Sequence, residues 1–424
     1  MSIVRLPKTK FSSQLCMCLA LTAVTLSLAS NAVAQTETVL YSFKNSPDGA
    51  HPQSGLVLRD GNLYGTTGFG GENNEGTVFE LRRTATGWAE KVLYKFTGGS
   101  DGGSPYGALT FDNSGNLYGT TTVGGITSGD CPTSGCGVVF ELTSSPSGWT
   151  ETVIHSFTGG SDGLNPLADL ATDRLGNIYG ASCGDQYCFT AGNVFELMPS
   201  GSSWNYAVIA SGVSPSNGKL AIDTEGNLYG ANYFGGNDGC ILTTCGTVFE
   251  LSRSGGSWTT TTSYSFSPGA SGSNPFASVT LGPSGLFGTA QLGGSGNAGT
   301  VFELHHSHGV WSETPLYAFT DGVNGYEPAA AVVIDKSGNV FSWALSDGDC
   351  DGDNCGLVFE LSPPNGGRWS ERVVHNFGST NGDGWGPYGS LTLDSVGNLY
   401  GVTFDGGAGS AGGSGNGTVY EITP

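Results

Sequence analysis

Short apolar segments separated by polar turns recur along the whole chain. Between residues 105 and 157, an apolar run at 108–111 precedes a turn, a second run begins at Leu117, and a third covers 138–142. In residues 149–157, Trp, Glu, Val, His and Phe then alternate with Thr, Thr, Ile and Ser, which is the period of a half-buried strand. The unit has no helical period. It predicts four short β-strands, which we name A, B, C and D in chain order.

This unit occurs seven times. Each copy carries Gly-Asn-Leu-Tyr-Gly or a variant in strand B, and Val-Phe-Glu-Leu or a variant in strand C. The second motif begins at intervals of 53 to 61 residues, at Val78, Val139, Val194, Val248, Val301, Val358 and Val419. A period of this size is typical of repeat architectures. Four short strands rich in glycine and aromatic residues predict one blade of a β-propeller.

The two ends of the repeat array predict how the ring closes. The array opens on a D-type strand at 36–43 and ends on a C-type strand at 419–422. We therefore predict an all-β, seven-bladed propeller over residues 35–424, with four-stranded blades and the N-terminal strand completing the last blade. Such closure removes an open sheet edge. A linear solenoid would need polar capping repeats, and the sequence shows none.

Residues 1–34 have the composition of a secretory signal peptide. Arg5, Lys8 and Lys10 precede an apolar run at 15–29, and Ala-Val-Ala at 32–34 provides a cleavage site. The apolar run is short for a bilayer span. We expect cleavage and secretion to the extracellular space or periplasm, with no membrane span. An uncleaved anchor and a lipoprotein processed near Cys16 are weaker alternatives.

Removal of this segment leaves a strongly acidic chain. The remaining chain has all 36 acidic residues and 12 of the 15 basic residues, which gives a net charge of −24. Such a charge repels nucleic acid and anionic lipid and favours solubility. We expect a monomer that does not bind nucleic acid.

Eight of the ten cysteines follow the signal peptide, in four pairs of equal spacing: Cys131/Cys136, Cys183/Cys188, Cys240/Cys245 and Cys350/Cys355. An even number in a secreted chain favours disulfides. The alternative is a zinc site, which would need a second pair nearby. Since each pair is alone in its repeat, we predict four local disulfides.

Several recurring residues are interpreted as scaffold. The B-strand tyrosines and the tryptophans at the start of each D strand are large enough to fill the space between blades. Aspartates such as Asp112 begin the A–B turns, where the side chain can bond its own backbone. The glutamate of strand C, such as Glu80, recurs in all seven copies. We expect it to hydrogen-bond between blades rather than to act in catalysis.

The motifs Gly-Asn-Leu-Tyr-Gly-Thr-Thr at 61–67 and Gly-Thr-Val-Phe-Glu-Leu at 76–81 resemble those of the GloVer tandem-repeat family. The resemblance extends over the whole chain after the signal peptide. It implies an exported bacterial repeat protein, often with a C-terminal surface anchor, and no established activity. Because the sequence stops at Pro424, just after the last strand, we do not expect such an anchor here.

The loops provide the candidate ligand site. In propellers the D–A and B–C loops share one face, and function usually belongs to loops on a rigid scaffold. Aromatic residues expected at the channel mouth on this face could stack on sugar rings: Tyr106, Phe276, Trp343, Trp385 and Tyr388. Asp169 and Lys219 hold matching A-strand positions in neighbouring blades and could pair across the channel. Ordinary packing is the alternative for the aromatic residues.

One B–C loop is a candidate Ca²⁺ site. Asp347, Asp349, Asp351 and Asp353 alternate along it, as do the carboxylates of a Ca²⁺ loop. Position 12 is Val358 rather than a bidentate glutamate, so the loop is not an EF-hand. A solvated acidic loop is the alternative.

The sequence leaves two functional hypotheses. The first, which we favour, is an exported, non-enzymatic module that binds a glycan or protein through the D–A and B–C loop face. The second is an extracellular polysaccharide hydrolase or lyase with carboxylates such as Asp169 and Asp101 at the channel mouth. Two carboxyls about 5–10 Å apart would favour the enzyme. Neither a G-x-S-x-G elbow nor a histidine zinc motif is present.

Overall fold

The computed structural model describes residues 36–213, 218–240, 243–320, 324–346, 355–364, 366–378, 382–408 and 415–423. Every regular element in these ranges is a β-strand. None of the described residues forms a helix long and apolar enough to cross a bilayer. The all-β prediction is confirmed, whereas the predicted signal peptide lies outside the described residues.

The strands, in chain order, are β1 (Thr36–Ser42), β2 (Val57–Arg59), β3 (Asn62–Thr67), β4 (Thr77–Thr84), β5 (Gly87–Lys95), β6 (Gly103–Pro105), β7 (Thr110–Phe111), β8 (Leu117–Val123), β9 (Val138–Ser145), β10 (Gly148–Ser156), β11 (Ala171–Thr172), β12 (Ile178–Ser182), β13 (Gly192–Ser200), β14 (Ser203–Val213), β15 (Ala221–Ile222), β16 (Leu228–Asn232), β17 (Asp238–Cys240), β18 (Thr243–Thr244), β19 (Thr247–Ser254), β20 (Ser257–Ser265), β21 (Gly272–Ser273), β22 (Thr280–Leu281), β23 (Leu286–Ala290), β24 (Leu292–Gly293), β25 (Thr300–Ser307), β26 (Val310–Ala318), β27 (Val333–Ile334), β28 (Val340–Ala344), β29 (Leu357–Ser362), β30 (Ser370–Asn376), β31 (Gly384–Leu393), β32 (Leu399–Gly406) and β33 (Thr418–Thr423).

These strands form seven antiparallel sheets, each with strands A to D in sequential order. Blades 1 to 3 are β2–β5, β6–β10 and β11–β14. Blade 4 contains β15, β16, β19 and β20, and blade 5 contains β22, β23, β25 and β26. Blade 6 is β27–β30, and blade 7 combines β31–β33 with β1. Two small extra pairs, β17 with β18 and β21 with β24, lie in the loops.

The N-terminal strand closes the ring as predicted. Strand β1 pairs antiparallel with β33, from Thr36 opposite Thr423 to Ser42 opposite Thr418. The sheet order β1-β33-β32-β31 makes β1 the outer strand of blade 7. One blade therefore contains both ends of the array, and β33 has a hydrogen-bonded neighbour on each side.

The core consists of seven apolar clusters, each shared by two consecutive blades. The cluster between blades 7 and 1 brings Phe79 against Tyr400 and Val419. The last glycine of the B-strand motif makes room for the C-strand phenylalanine, because a Cβ on Gly119 would lie 2.5 Å from the ring of Phe140. The recurring motif is therefore a packing requirement.

Aromatic contacts between blades confirm one sequence interpretation. The D-strand tryptophan of each of several blades meets the B-strand tyrosine of the blade before it. Trp204 lies edge-on to Tyr118 with ring centroids 5.6 Å apart, and Trp258 meets Tyr179 at 5.9 Å. These contacts add directional packing to the apolar clusters.

The prediction that the C-strand glutamates hydrogen-bond between blades is confirmed for Glu196 but not for Glu80 or Glu141. Tyr64 donates to Glu80 at 3.0 Å and Tyr118 to Glu141 at 2.9 Å, both within one blade. Among the described C-strand glutamates, only Glu196 accepts from the next blade, where Trp258 donates at 3.2 Å and Arg253 at 3.3 Å. The B and C strands of one blade are adjacent, so the carboxylate reaches the tyrosine of its own sheet first.

Three predicted disulfides are present: Cys131–Cys136, Cys183–Cys188 and Cys240–Cys245. Their Cα atoms are 4.9 to 5.2 Å apart. In the fourth pair Cys355 is buried, and Cys350 lies outside the described residues. The three described cysteine pairs therefore form disulfides and not a zinc site.

Candidate functional site

A central channel runs along the seven A strands. It has a volume of about 720 Å³ and is lined by residues from every blade. The residue just before the recurring apolar position of strand A is small in five blades, at Gly55, Ala108, Ser278, Ala331 and Ser390. Asp169 and Lys219 occupy the same position in blades 3 and 4. These two therefore bring charge to a wall that is otherwise apolar or weakly polar.

A second cavity of about 200 Å³ forms the channel mouth on the D–A and B–C loop face. Six of its lining residues each directly follow the proline of a D–A loop: Gln53, Tyr106, Leu167, Phe276, Ala329 and Tyr388. Proline fixes its own backbone angle and restricts the residue before it, so each loop enters strand A in a defined direction. The repeat thus builds a ring of variable side chains around one opening.

Five of the predicted ligand residues meet at this mouth: Tyr106, Asp169, Phe276, Trp343 and Tyr388. The hydroxyls of Tyr106 and Tyr388 are hydrogen-bonded, and their rings are edge-on with centroids 5.9 Å apart. The ring centroids of Trp343 and Tyr388 are 6.4 Å apart, and Trp343 donates its indole N–H to the carbonyl of Gly389 at 2.7 Å. One side of the mouth is therefore a fixed aromatic wall.

The structure does not bring Trp385 to this mouth. Trp385 lies in β31 opposite Asp405 of β32 and packs against the apolar cluster between blades 6 and 7. A Cβ on Gly406 would lie 2.8 Å from Cδ1 of this indole, so the glycine leaves room for it. The register of β31 with β32 sets this position, and sequence spacing alone does not reveal it.

Asp169 and Lys219 interact along the channel wall without forming an ion pair within 4.0 Å. Asp169 accepts a hydrogen bond from the backbone N–H of Ala108 at 2.6 Å. Both side chains have some surface open to the channel, but the surrounding protein raises the pKa of Asp169 and lowers the pKa of Lys219. Each charge partly opposes the shift of the other.

Gln291 is a polar residue at the mouth that the sequence motifs did not predict. Gln291 lines the cavity, accepts a hydrogen bond from Tyr233 at 2.8 Å and donates to Glu327 at 3.5 Å. Tyr233 also lies 5.9 Å from the ring of Phe276. Gln291 and Tyr233 hold the same position, four residues after the B-strand aromatic, where the seven copies differ. The variability of this position among the copies is the sequence feature that could have indicated Gln291.

Three of the D–A loop aspartates, Asp48, Asp101 and Asp162, accept hydrogen bonds that hold the scaffold. Asp101, a carboxylate of the enzyme hypothesis, accepts hydrogen bonds from Tyr94 at 3.0 Å and from the N–H of Thr97 at 2.9 Å. Among the described residues that line the channel and its mouth, Asp169 carries the only carboxylate. The candidate Ca²⁺ residues Asp347, Asp349, Asp351 and Asp353 lie outside the described residues.

These features define a seven-bladed β-propeller with an aromatic channel mouth. A family model described as the Gloeobacter/Verrucomicrobia repeat matches residues 26–186 and 125–354. The matches cover more than half of the sequence, and the chain belongs to that family. The family resemblance drawn from the repeat motifs is confirmed.

The chain is similar to solved structures at low sequence identity. A Lactobacillus plantarum protein is 13% identical over 86% of this chain and 99% of its own, with a TM-score of 0.52. A luciferin-regenerating enzyme is 12% identical over 92% and 96%, with a TM-score of 0.43. At these values the first similarity shows the fold alone, and the second carries no argument. No curated protein matches the chain significantly.

Proposed function

We propose that this protein is an exported carbohydrate-binding propeller whose ligand occupies the channel mouth. The observation that carries the proposal is the convergence of four aromatic side chains on one cavity: Tyr106, Phe276, Trp343 and Tyr388. Export is supported by the signal-like residues 1–34 and by the three disulfides, which persist in oxidising compartments.

The mouth combines the two kinds of surface that a sugar needs. Aromatic rings offer flat apolar faces to the C–H groups of a pyranose, and a few polar groups can orient its hydroxyls. Gln53, Gln291 and Asp169 supply such groups on the same cavity. The bonds from Tyr106 to Tyr388 and from Trp343 to Gly389 hold the wall in place before any ligand arrives, which lowers the entropy cost of binding.

Binding is favoured over hydrolysis by the carboxylates. Glycoside hydrolysis usually employs two carboxyls on opposite sides of the scissile bond. Asp169 is the sole carboxylate among the described lining residues, and Asp101 is committed to Tyr94 and Thr97. We retain a polysaccharide hydrolase or lyase as the alternative, since burial raises the pKa of Asp169 in the way a general acid requires.

A glycan array, followed by calorimetry on the best ligand, tests the proposal. The variants Trp343→Thr and Tyr388→Ala insert residues that other blades have at the same positions, as at Thr66 and Ala329. Each should weaken binding about tenfold or more, which is ~1.4 kcal/mol. Trp385→Ala is the matched control outside the mouth and should bind like the wild type.

Two results would contradict this proposal. One is that no glycan binds, or that the mouth variants bind as tightly as the wild type; a protein ligand would then be the remaining partner for this face. The other is turnover of a polysaccharide that Asp169→Asn abolishes, which would establish the enzyme instead.

A further inference from the structure

Three side-chain positions meet at the outer edge of the junction between blades 1 and 2, and the repeat has equivalents of them at the other described junctions. They are the D-strand residue equivalent to Tyr94, the D–A loop residue equivalent to Asp101, and the D-strand residue of the next blade equivalent to Glu151. At that junction Tyr94 donates to Asp101 at 3.0 Å, and burial together with the charges of Asp101 and Glu151 raises the pKa of Tyr94. The usual junction is thus a hydrogen-bonded tyrosine–carboxylate arrangement.

The junction between blades 6 and 7 has a different composition. His375 of β30 takes the tyrosine position, Asp383 lies in the D–A loop, and Glu37 comes from the closing strand β1. His375 Nε2 lies 3.3 Å from Asp383 Oδ2. One donor atom from each of the three residues lies within 4.8 Å of the other two.

Asp383 is buried and lacks the partners that its equivalents have. Its side chain is 1% exposed, and none of the described residues donates a hydrogen bond to either carboxylate oxygen. His375 Nε2 is within ion-pair distance but also satisfies no hydrogen bond, and Glu37 Oε1 is buried and unsatisfied. At the earlier junctions Thr97 and Thr158 donate both N–H and hydroxyl to the aspartate. Gly378 replaces them here and has no hydroxyl.

Unpartnered buried carboxylate oxygens are costly and rare, so a missing ligand is the physical explanation to seek. Burial and the neighbouring Asp383 charge also raise the pKa of Glu37 to about 7. A cation placed between the three groups would relieve both the unmet acceptors and the repulsion between the two carboxylates.

We propose that Glu37, His375 and Asp383 bind a divalent transition-metal ion of the Zn²⁺ class. One imidazole nitrogen with two carboxylates suits such ions better than Ca²⁺ or Mg²⁺, which prefer oxygen donors alone. Tetrahedral zinc bonds of about 2.0–2.2 Å place ligand atoms roughly 3.3–3.6 Å apart. The separation of 3.3 Å between His375 and Asp383 already matches that spacing. Water can occupy the fourth position.

The ion would join three segments of the ring. Glu37 lies in β1, which otherwise is held in blade 7 by pairing with β33, while His375 belongs to blade 6. The metal therefore acts as a staple between the closing strand and the neighbouring blade. Because it binds only the folded ring, it stabilises that ring in proportion to its concentration.

Zn²⁺ titration of chelator-treated protein by calorimetry, together with thermal unfolding, tests the site. Three variants insert residues found at the same positions of other junctions: His375→Tyr as at Tyr94, Asp383→Asn as at Asn324, and Glu37→Thr as at Thr260. The wild type should bind one ion per chain, with a higher unfolding midpoint in Zn²⁺. Each variant should bind at least about tenfold more weakly, as expected when a metal site is disturbed, and lose the thermal shift.

The matched control is His155→Tyr. His155 also lies 3.3 Å from an aspartate, Asp162, but the third position there is Tyr206, which stacks on its ring at 3.8 Å. This control should retain the ion. A second control, His306→Ala with His308→Ala, removes exposed histidines of a C–D turn and should also retain it.

The proposal is overturned if His375→Tyr binds Zn²⁺ as the wild type does, or if binding disappears with His306 and His308. It is also overturned if Ca²⁺ at equal concentration competes fully with Zn²⁺. His375→Tyr provides a decision even if Asp383→Asn fails to fold, because tyrosine occupies that position at other junctions. The outcome is independent of glycan binding, which takes place at the channel mouth.

Discussion

Glu90 and Glu151 are two glutamates whose ionisation opposes folding at neutral pH. Both lie on outer strands, and Oε1 of each is buried without a hydrogen-bond partner. Burial, followed by the charge of a D–A loop aspartate, raises the pKa of each to about 7 from 4.5. Because the folded pKa is higher, the folded state binds the proton more tightly.

The sign of the pH effect follows. The contribution of each glutamate favours folding fully below pH 4.5 and is lost as the pH rises through about 7. We therefore expect Glu90→Gln and Glu151→Gln to unfold at higher urea concentration than the wild type at pH 8. The difference should shrink towards zero by pH 5. Urea-unfolding midpoints at both pH values measure it.

Glu225→Gln is the control for this pair. Glu225 is exposed in an A–B turn, so its amide variant should follow the wild type at both pH values. Equal midpoints for Glu90→Gln and wild type at pH 8 would show that the buried carboxylate costs nothing in the folded state.

At the scale of elements, ring closure depends on a single strand. Strand β1 supplies the outer edge of blade 7 and pairs with β33 over most of its length. Without it, the edge of β33 would present unpaired N–H and C=O groups, and exposed edges promote association between chains. Its loss would also remove Tyr41, which packs against the cluster between blades 7 and 1, and would leave that side of the cluster uncovered.

We expect a chain lacking residues 36–42 to have a lower unfolding midpoint and to form dimers or larger species. Thermal unfolding and size-exclusion chromatography measure the two effects. A synthetic peptide of residues 35–44, added in excess, should restore the midpoint and the monomer by taking the place of β1.

The same peptide with Val39→Pro is the matched control, because proline removes a strand N–H and disfavours a place in the ladder. Val39 lies opposite Tyr420 in the register. A truncated chain that remains monomeric with an unchanged midpoint would mean that β1 is dispensable for the ring.

At the scale of the whole molecule, net charge restricts the partners. A charge of −24 after residue 34 repels the phosphate backbone, and non-specific binding to DNA is an electrostatic effect. We expect no shift of a DNA duplex in 50 mM salt at protein concentrations of about 10 μM, which lies within the usual range of non-specific dissociation constants of about 1–100 μM. A shift that disappears at higher salt would reveal a basic surface that the composition conceals.

The sequence by itself determined the architecture. Seven copies of a four-strand pattern fixed the number of blades, and the D-type start with the C-type end fixed the closure between β1 and β33. Local features were equally legible: three cysteine pairs form the predicted disulfides, and Asp112 accepts from the N–H groups of Ser114 and Asn116 in its own turn. Such features depend on contacts between residues near in sequence, and the same local pattern recurs in several copies of the repeat.

Only the tertiary structure decided which side chains share a site. Trp343 and Tyr388 both line the channel mouth, and Trp343 is also buried in the cluster between blades 6 and 7, whereas Trp385 packs against that cluster without lining the mouth. Glu37 and His375 lie more than 300 residues apart in sequence and meet because the ring closes beside blade 6. Periodicity predicts that blades form. It does not predict how their edges align, because that alignment comes from packing between sheets.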